Sequence, residues 1–296
     1  LQMINYNTKA WLASIFVFKK ADTFRQLLPM ILLVSAYTAL IVYIETEWQV
    51  ISDNSPLRHF TIMQTLLGFV ISMLLVFRTN TAYDRWWEGR KQWGALVNNS
   101  RNLAIKMAAI LPKEDETNRA FFRKIIPAFA YALHNHLRRE KTRIELFEGS
   151  DAAHLVNKID TDKHIPNQVA TLMLDHVNQL YREKKLSESQ LLFINPELSS
   201  FTDICGACER IKNTPIPFSY SVFIKKFIFF YVMTLPFGFA FTLGYLSVPV
   251  VAFIFYVLAS LEIIAEEIED PFGGDANDVP TDKLSANIHK HVAELI

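Results

Sequence analysis

The sequence predicts an all-α membrane protein: four transmembrane helices plus a cytoplasmic helical region. Three observations carry that prediction. Four mainly apolar runs, 27–44, 60–77, 227–246 and 248–264, are each long enough to cross a bilayer, which takes roughly 17–25 residues. The stretch 78–217 between the second and third runs shows apolar residues at helical spacing and scarcely any strand-like alternation. Basic residues collect on one side of the spans.

The elements follow in order. Residues 11–18 are too short to span and alternate as an amphipathic helix at the membrane surface does. The first run is interrupted only by Pro29, Ser35, Tyr37, Thr38 and Tyr43. A polar loop, 45–59, leads to the second run, so the two form a hairpin. Arg78 closes the second run, and the spacing of Trp86, Trp93 and Val97 continues its helix to Pro112. Further helices are expected over 118–137, 167–185 and 187–211. Acids at 114–116 suit a helix start, and Ser187 with Gln190 forms a possible capping box. Gly244-Tyr245 is the turn candidate between the last two spans, and Pro236-Phe-Gly238 is the one mid-span break. The tail, 284–296, is amphipathic. No internal repeat or low-complexity linker divides the chain, so residues 1–296 read as one domain.

Orientation follows from positive charge. Lys19, Lys20 and Arg25 precede the first span, Arg78, Arg85, Arg90 and Lys91 follow the second, and Lys225 and Lys226 precede the third. The two opposite loops hold only Arg58. Both termini and the 78–217 section are therefore expected in the cytoplasm, and the membrane is the inner one. Tyr83, Trp86 and Trp87 fall where an aromatic belt would anchor the helix.

Composition narrows the function. With 30 basic and 30 acidic residues the chain is neutral, which argues against a nucleic-acid surface. Cys205 and Cys208 form a lone C-x-x-C, without the βαβ context of a redox pair or the second pair of a zinc site. The 8 histidines contain no H-E-x-x-H, and His134 and His136 point to different sides of a helix. There is no phosphate loop, nucleophile elbow or dinucleotide fingerprint. Neither an enzyme nor a cofactor is expected. Glu262 is an acid within a span, close enough to its end to be solvated.

Three segments carry a family resemblance: LLGFVISMLLVFRTNTAYDRWWEGR at 66–90, CERIKNTPIPFSY at 208–220 and EEIEDPFGGDAND at 266–278. In this order and spacing they resemble the bestrophin family, its prokaryotic branch in particular. The resemblance implies a homopentamer in membrane lipid, passing small monovalent ions through one central pore. It implies a hydrophobic neck lined by Phe69, Met73 and Phe77, and an aperture at Phe223. Read without the family, Phe69, Met73 and Phe77 are spaced i, i+4, i+8 and share one helix face, as ordinary packing stripes also do. Ring orientation decides which ion such a neck favours, because an aromatic edge is electropositive and its face electronegative. The sequence leaves that open, with chloride preferred over the sodium attributed to some prokaryotic relatives. A membrane-anchored scaffold without flux is the third reading. The acids of 266–278 stand where eukaryotic members hold calcium. Asp275, Asn277 and Asp278 are the only metal candidates there, too few for calcium's six to eight oxygens, so no metal is expected.

Overall fold

A computed structural model of the chain describes residues 23–48, 60–139 and 159–296. Those residues form eight α-helices and no strand. They are α1 (Thr23–Trp48), α2 (Phe60–Ile110), α3 (Glu116–Arg138), α4 (Ile165–Arg182), α5 (Glu188–Asn213), α6 (Phe218–Leu243), α7 (Ser247–Glu269) and α8 (Thr281–Leu295). The surface helix expected over 11–18 and the loop 49–59 lie outside the described residues.

Helix α2 organises the molecule. Its 51 residues run about 75 Å, more than twice the hydrocarbon thickness of a bilayer. It stops at Ile110 because Leu111 precedes Pro112, whose ring pushes the residue before it out of the helical region. One end of α2 sends Ile71 and Leu75 into an apolar cluster with Val34, Ile228, Val232 and Val251 of α1, α6 and α7. The other end sends Trp93, Leu96, Leu103 and Met107 into a second cluster built on Phe122, Phe129, Met173 and Phe201 of α3, α4 and α5. Helix α8 packs on α3 and α2 and closes that second cluster with Ile288 and Val292.

Among the described residues three apolar stretches are long enough to span a membrane: Thr23–Glu47, Thr61–Ile110 and Phe218–Glu269. The third folds back on itself. Gly244 has φ 52°, a conformation that side chains resist, and a short 3₁₀ turn (Gly244–Leu246) follows. Lys225, near the start of α6, donates to both carboxylate oxygens of Glu266, near the end of α7, at 2.9 Å. The two helices are therefore antiparallel, which makes four apolar helices of spanning length among the described residues, the number the sequence predicts.

Pro236 does not break α6, which runs through it without interruption. Tyr37 of α1 donates its hydroxyl proton to Met233 O at 3.1 Å, and Gln64 Nε2 of α2 donates to Thr234 O at 2.6 Å. Neighbouring side chains thus bond carbonyls beside the proline.

Outside the apolar stretches the caps are local. The Asp115 carboxylate accepts from the Asn118 N–H and starts α3. Ser187 and Gln190 form the expected capping box of α5, each side chain accepting from the other's backbone N–H. His164 caps α4, its Nδ1 accepting from the Asn167 N–H at 3.2 Å.

Candidate functional site

The two sides of α2 differ. Ile71, Leu75, Arg78 and Ala82 are buried against the chain's own helices. Phe69, Met73 and Phe77 are 66%, 45% and 57% exposed on the other side. Helical spacing puts these three in line, an apolar band about 12 Å long. Beyond Phe77 the same side turns polar, with Asn80, Asp84 and Lys91 exposed. Large apolar groups that the chain itself leaves uncovered, followed directly by polar ones, suit a surface facing other copies, lipid or a pore. Phe223 does not join them. It lies near the start of α6, 53% exposed, its ring 5.9 Å from that of Phe227.

A buried polar anchor lies one residue past Phe77. Arg78, 1% exposed, has Nη2 2.7 Å from Glu269 Oε2 and Nε 3.5 Å from Glu262 Oε2. The other oxygen of Glu269 accepts from the Ile216 N–H at 2.7 Å. Arg85, two turns along α2, donates from Nε to Glu269 O at 3.0 Å, from Nη1 to Thr214 O at 2.5 Å and from Nη2 to Ile211 O at 2.6 Å. These bonds fasten α2 to the end of α7 and to the segment that joins α5 to α6. The helix carrying Phe77 and the helix carrying Phe223 are thereby held to one another. Glu262 is buried here rather than solvated at its helix end, because Arg78 reaches it from α2. The sequence offered a signal for this pairing: an arginine closing one apolar run and an acid inside another.

The turn after α7 is a second junction. Trp86 Nε1 donates to Asn277 O at 2.9 Å, and the ring packs on the second apolar cluster. Trp86 therefore ties α2 to residues 270–280 rather than serving in an aromatic belt. Asn277 turns its amide to Glu267 Oε2 at 2.9 Å. Asp278 is buried and accepts from the Asp275 N–H through Oδ2 at 2.8 Å. Within the turn, Asp278 is thus held by the Asp275 backbone and Asn277 by Glu267. Burial, with Asp275 and Asp270 adding repulsion, pushes the Asp278 carboxyl up to about 7.

The remaining candidates separate as their spacing suggests. His134 Nδ1 lies 2.6 Å from Thr281 Oγ1, whereas His136 Nε2 lies 2.7 Å from Glu209 Oε1. Cys205 and Cys208 are free and buried, and burial pushes the Cys205 thiol up to about 12 and Cys208 higher still. Thiols held protonated in this way are unreactive.

Comparison with known proteins bears on the whole chain. The sequence profile of the bacterial/fungal bestrophin proteins matches residues 3–294. A voltage-dependent anion channel-forming protein of Nostoc is 38% identical over 243 residues, covering 79% of this chain and 78% of that one. A protein of the same description from Ralstonia nicotianae is 32% identical over 273 residues, 92% of this chain and 87% of its own. The crystal structure of a point variant of a bacterial bestrophin homologue from Klebsiella pneumoniae aligns with TM-score 0.81 at 26% identity, over 91% of this chain and 98% of that one. A match that runs from one end of the chain almost to the other, in sequence and in fold, places this protein in the bacterial and fungal bestrophin family.

Proposed function

We propose that this protein is a homopentameric channel for small monovalent ions, with chloride as the preferred ion. Its neck is formed by Phe69, Met73 and Phe77 and its aperture by Phe223. It sits in the inner membrane with both termini and the α3–α5 bundle in the cytoplasm. The observation that carries this reading is the uncovered band on α2. Three large apolar side chains stand in line on the helix whose opposite side is fully packed. The four spans of one chain close around a solid apolar cluster, so an aqueous path has to form between copies. Rings of large apolar side chains gate ion flow by dewetting. The channel-forming relatives support a channel rather than an enzyme, and their description as anion channel-forming supports an anion.

The test is the reversal potential of the purified protein in a planar bilayer under a salt gradient. Reversal near the chloride potential supports the proposal. Reversal near the cation potential overturns the choice of ion. No current, even with Phe69, Met73 and Phe77 all replaced by Ala, overturns the channel and leaves a membrane-anchored scaffold.

A further inference from the structure

Three extramembrane helices bring two imidazoles and one carboxylate to a point. His136 lies in the last turn of α3, His164 is the residue that caps α4, and Glu209 lies one turn before the end of α5. Their ligand atoms all lie within 4.8 Å of one another. Both Nε2 atoms converge on one oxygen, Glu209 Oε1, at 2.7 Å from His136 and 2.6 Å from His164. The two rings are tilted by 55° with centroids 4.3 Å apart. All three side chains are about one-third exposed, so a solvent molecule can reach the point where they meet. Chain distance hides the set from sequence reading, because the two histidines are separated by residues 137–163 and Glu209 follows 45 residues after the second.

We propose that His136, His164 and Glu209 bind one zinc-type divalent ion per chain. The donor set selects the ion. Two imidazole nitrogens and a carboxylate suit zinc and its neighbours in the first transition row, whereas magnesium and calcium demand oxygen shells. Three protein ligands leave the fourth tetrahedral position to water, which the exposure allows. Bond lengths of about 2.0–2.1 Å separate tetrahedral ligand atoms by about 3.3 Å. Each short contact to Glu209 therefore opens by about 0.7 Å, an adjustment within side-chain reach. The ion takes the place of the two protons that now point at Oε1, and each neutral ring keeps one proton, moved to Nδ1.

That proton shift has a cost at His164. Its Nδ1 now accepts from the Asn167 N–H and caps α4. Zinc at Nε2 puts a proton on Nδ1 and ends that bond. The ion therefore exchanges the cap for a direct tie among α3, α4 and α5, and binding in the micromolar range is expected rather than the far tighter binding of pre-organised structural sites.

The test uses the full chain purified in detergent and stripped with a chelator. Zinc chloride is titrated against a fluorescent zinc indicator, and melting is followed by tryptophan fluorescence. The expected result is about one zinc per chain, with melting raised by on the order of 5 °C at saturation. Magnesium and calcium leave both readouts unchanged. Three variants identify the site. His164→Asn removes a ligand but keeps a good N-cap, so its melting without zinc falls only by the lost contact to Glu209, while zinc affinity falls at least about tenfold. His136→Gln and Glu209→Gln lose affinity to a similar degree. Replacing Cys205 and Cys208 by Ala does not alter it. Absence of saturable binding, or unchanged affinity in both His164→Asn and His136→Gln, overturns the assignment.

Discussion

Arg78 keeps its charge in a place almost sealed from solvent, between two carboxylates contributed by another helix. Desolvating three charges is costly, so the arrangement itself is weak support for stability, while removal of one member leaves the others uncompensated. Arg78→Met leaves Glu262 and Glu269 facing each other without a cation. It is expected to cost about 3–5 kcal/mol, read as a lowered midpoint in denaturant titration. Glu269→Gln keeps one acid for the arginine and keeps an acceptor for the Ile216 N–H, and is expected to cost about 1–3 kcal/mol. Equal losses for the two would show that charge balance does not govern this site. Asp278 gives a pH dependence of definite sign. Burial raises its carboxyl from the ordinary 3.8 to about 7, so the native state holds this proton more tightly than the unfolded chain. The contribution of the neutral form is fully present below the unfolded value and is lost as pH rises through about 7. It amounts to about 4 kcal/mol over the full interval. Asp278→Asn stays neutral and can still accept from the Asp275 N–H. Its melting temperature should therefore fall less than the native protein's between about pH 5 and pH 8. Parallel melting curves for the two proteins would remove Asp278 as the cause.

Helices α2 and α6 meet where Gly238 leaves room for Gln64. A Cβ at Gly238 would collide with Gln64 Oε1. Gly238→Ala is expected to push Gln64 aside, break its bond to Thr234 O and cost about 1–3 kcal/mol. Thermal melting checks this, and the double variant Gly238→Ala, Gln64→Ala should lose little beyond Gln64→Ala alone if the collision is the cause. The same contact shows which parts of the fold the sequence discloses. The four spans, the long extension of α2, the capping box at Ser187 and the turn at Gly244 all rest on neighbours within a few residues, and each is readable. Pro236 reads from the sequence as a break, and the side chains that bond carbonyls near it, Tyr37 and Gln64, come from helices far away in the chain. Glu262, Trp86 and the His136–His164–Glu209 set were misread or missed for one reason: each has its partner on another helix. Phe69, Met73 and Phe77 could be aligned by spacing, but spacing cannot say whether such a stripe is packed or open. The exposure of all three is what the fold adds.

The described residues are arranged about a long rod, α2, with one packed cluster at each end and an open apolar band on the side of the first cluster. Lipid and a pore could each lie against such a band, and they differ in what truncation does. If the band faces lipid, replacing Phe69, Met73 and Phe77 by Ala thins the outer surface and leaves ion flow as it was. If the band lines the neck, the same change widens a dewetted constriction and raises unitary conductance, with an expected gain of several-fold, because the dewetting barrier depends on both radius and wall polarity. Leu32 supplies the control. It is exposed like the three, but lies on α1. Leu32→Ala should leave conductance unchanged, and the triple variant should raise it, in single-channel recordings made in symmetric salt. The buried anchor adds a second demand. Arg78 and Arg85 hold α2 to the end of α7 and to the segment before α6, so in the proposed channel a widened neck leaves the proposed constriction at Phe223 in place. Adding Phe223→Ala to the triple variant should then raise conductance again, since two constrictions in series limit flow together. A quadruple variant no more conductive than the triple would place Phe223 outside the ion path while leaving the neck assignment standing.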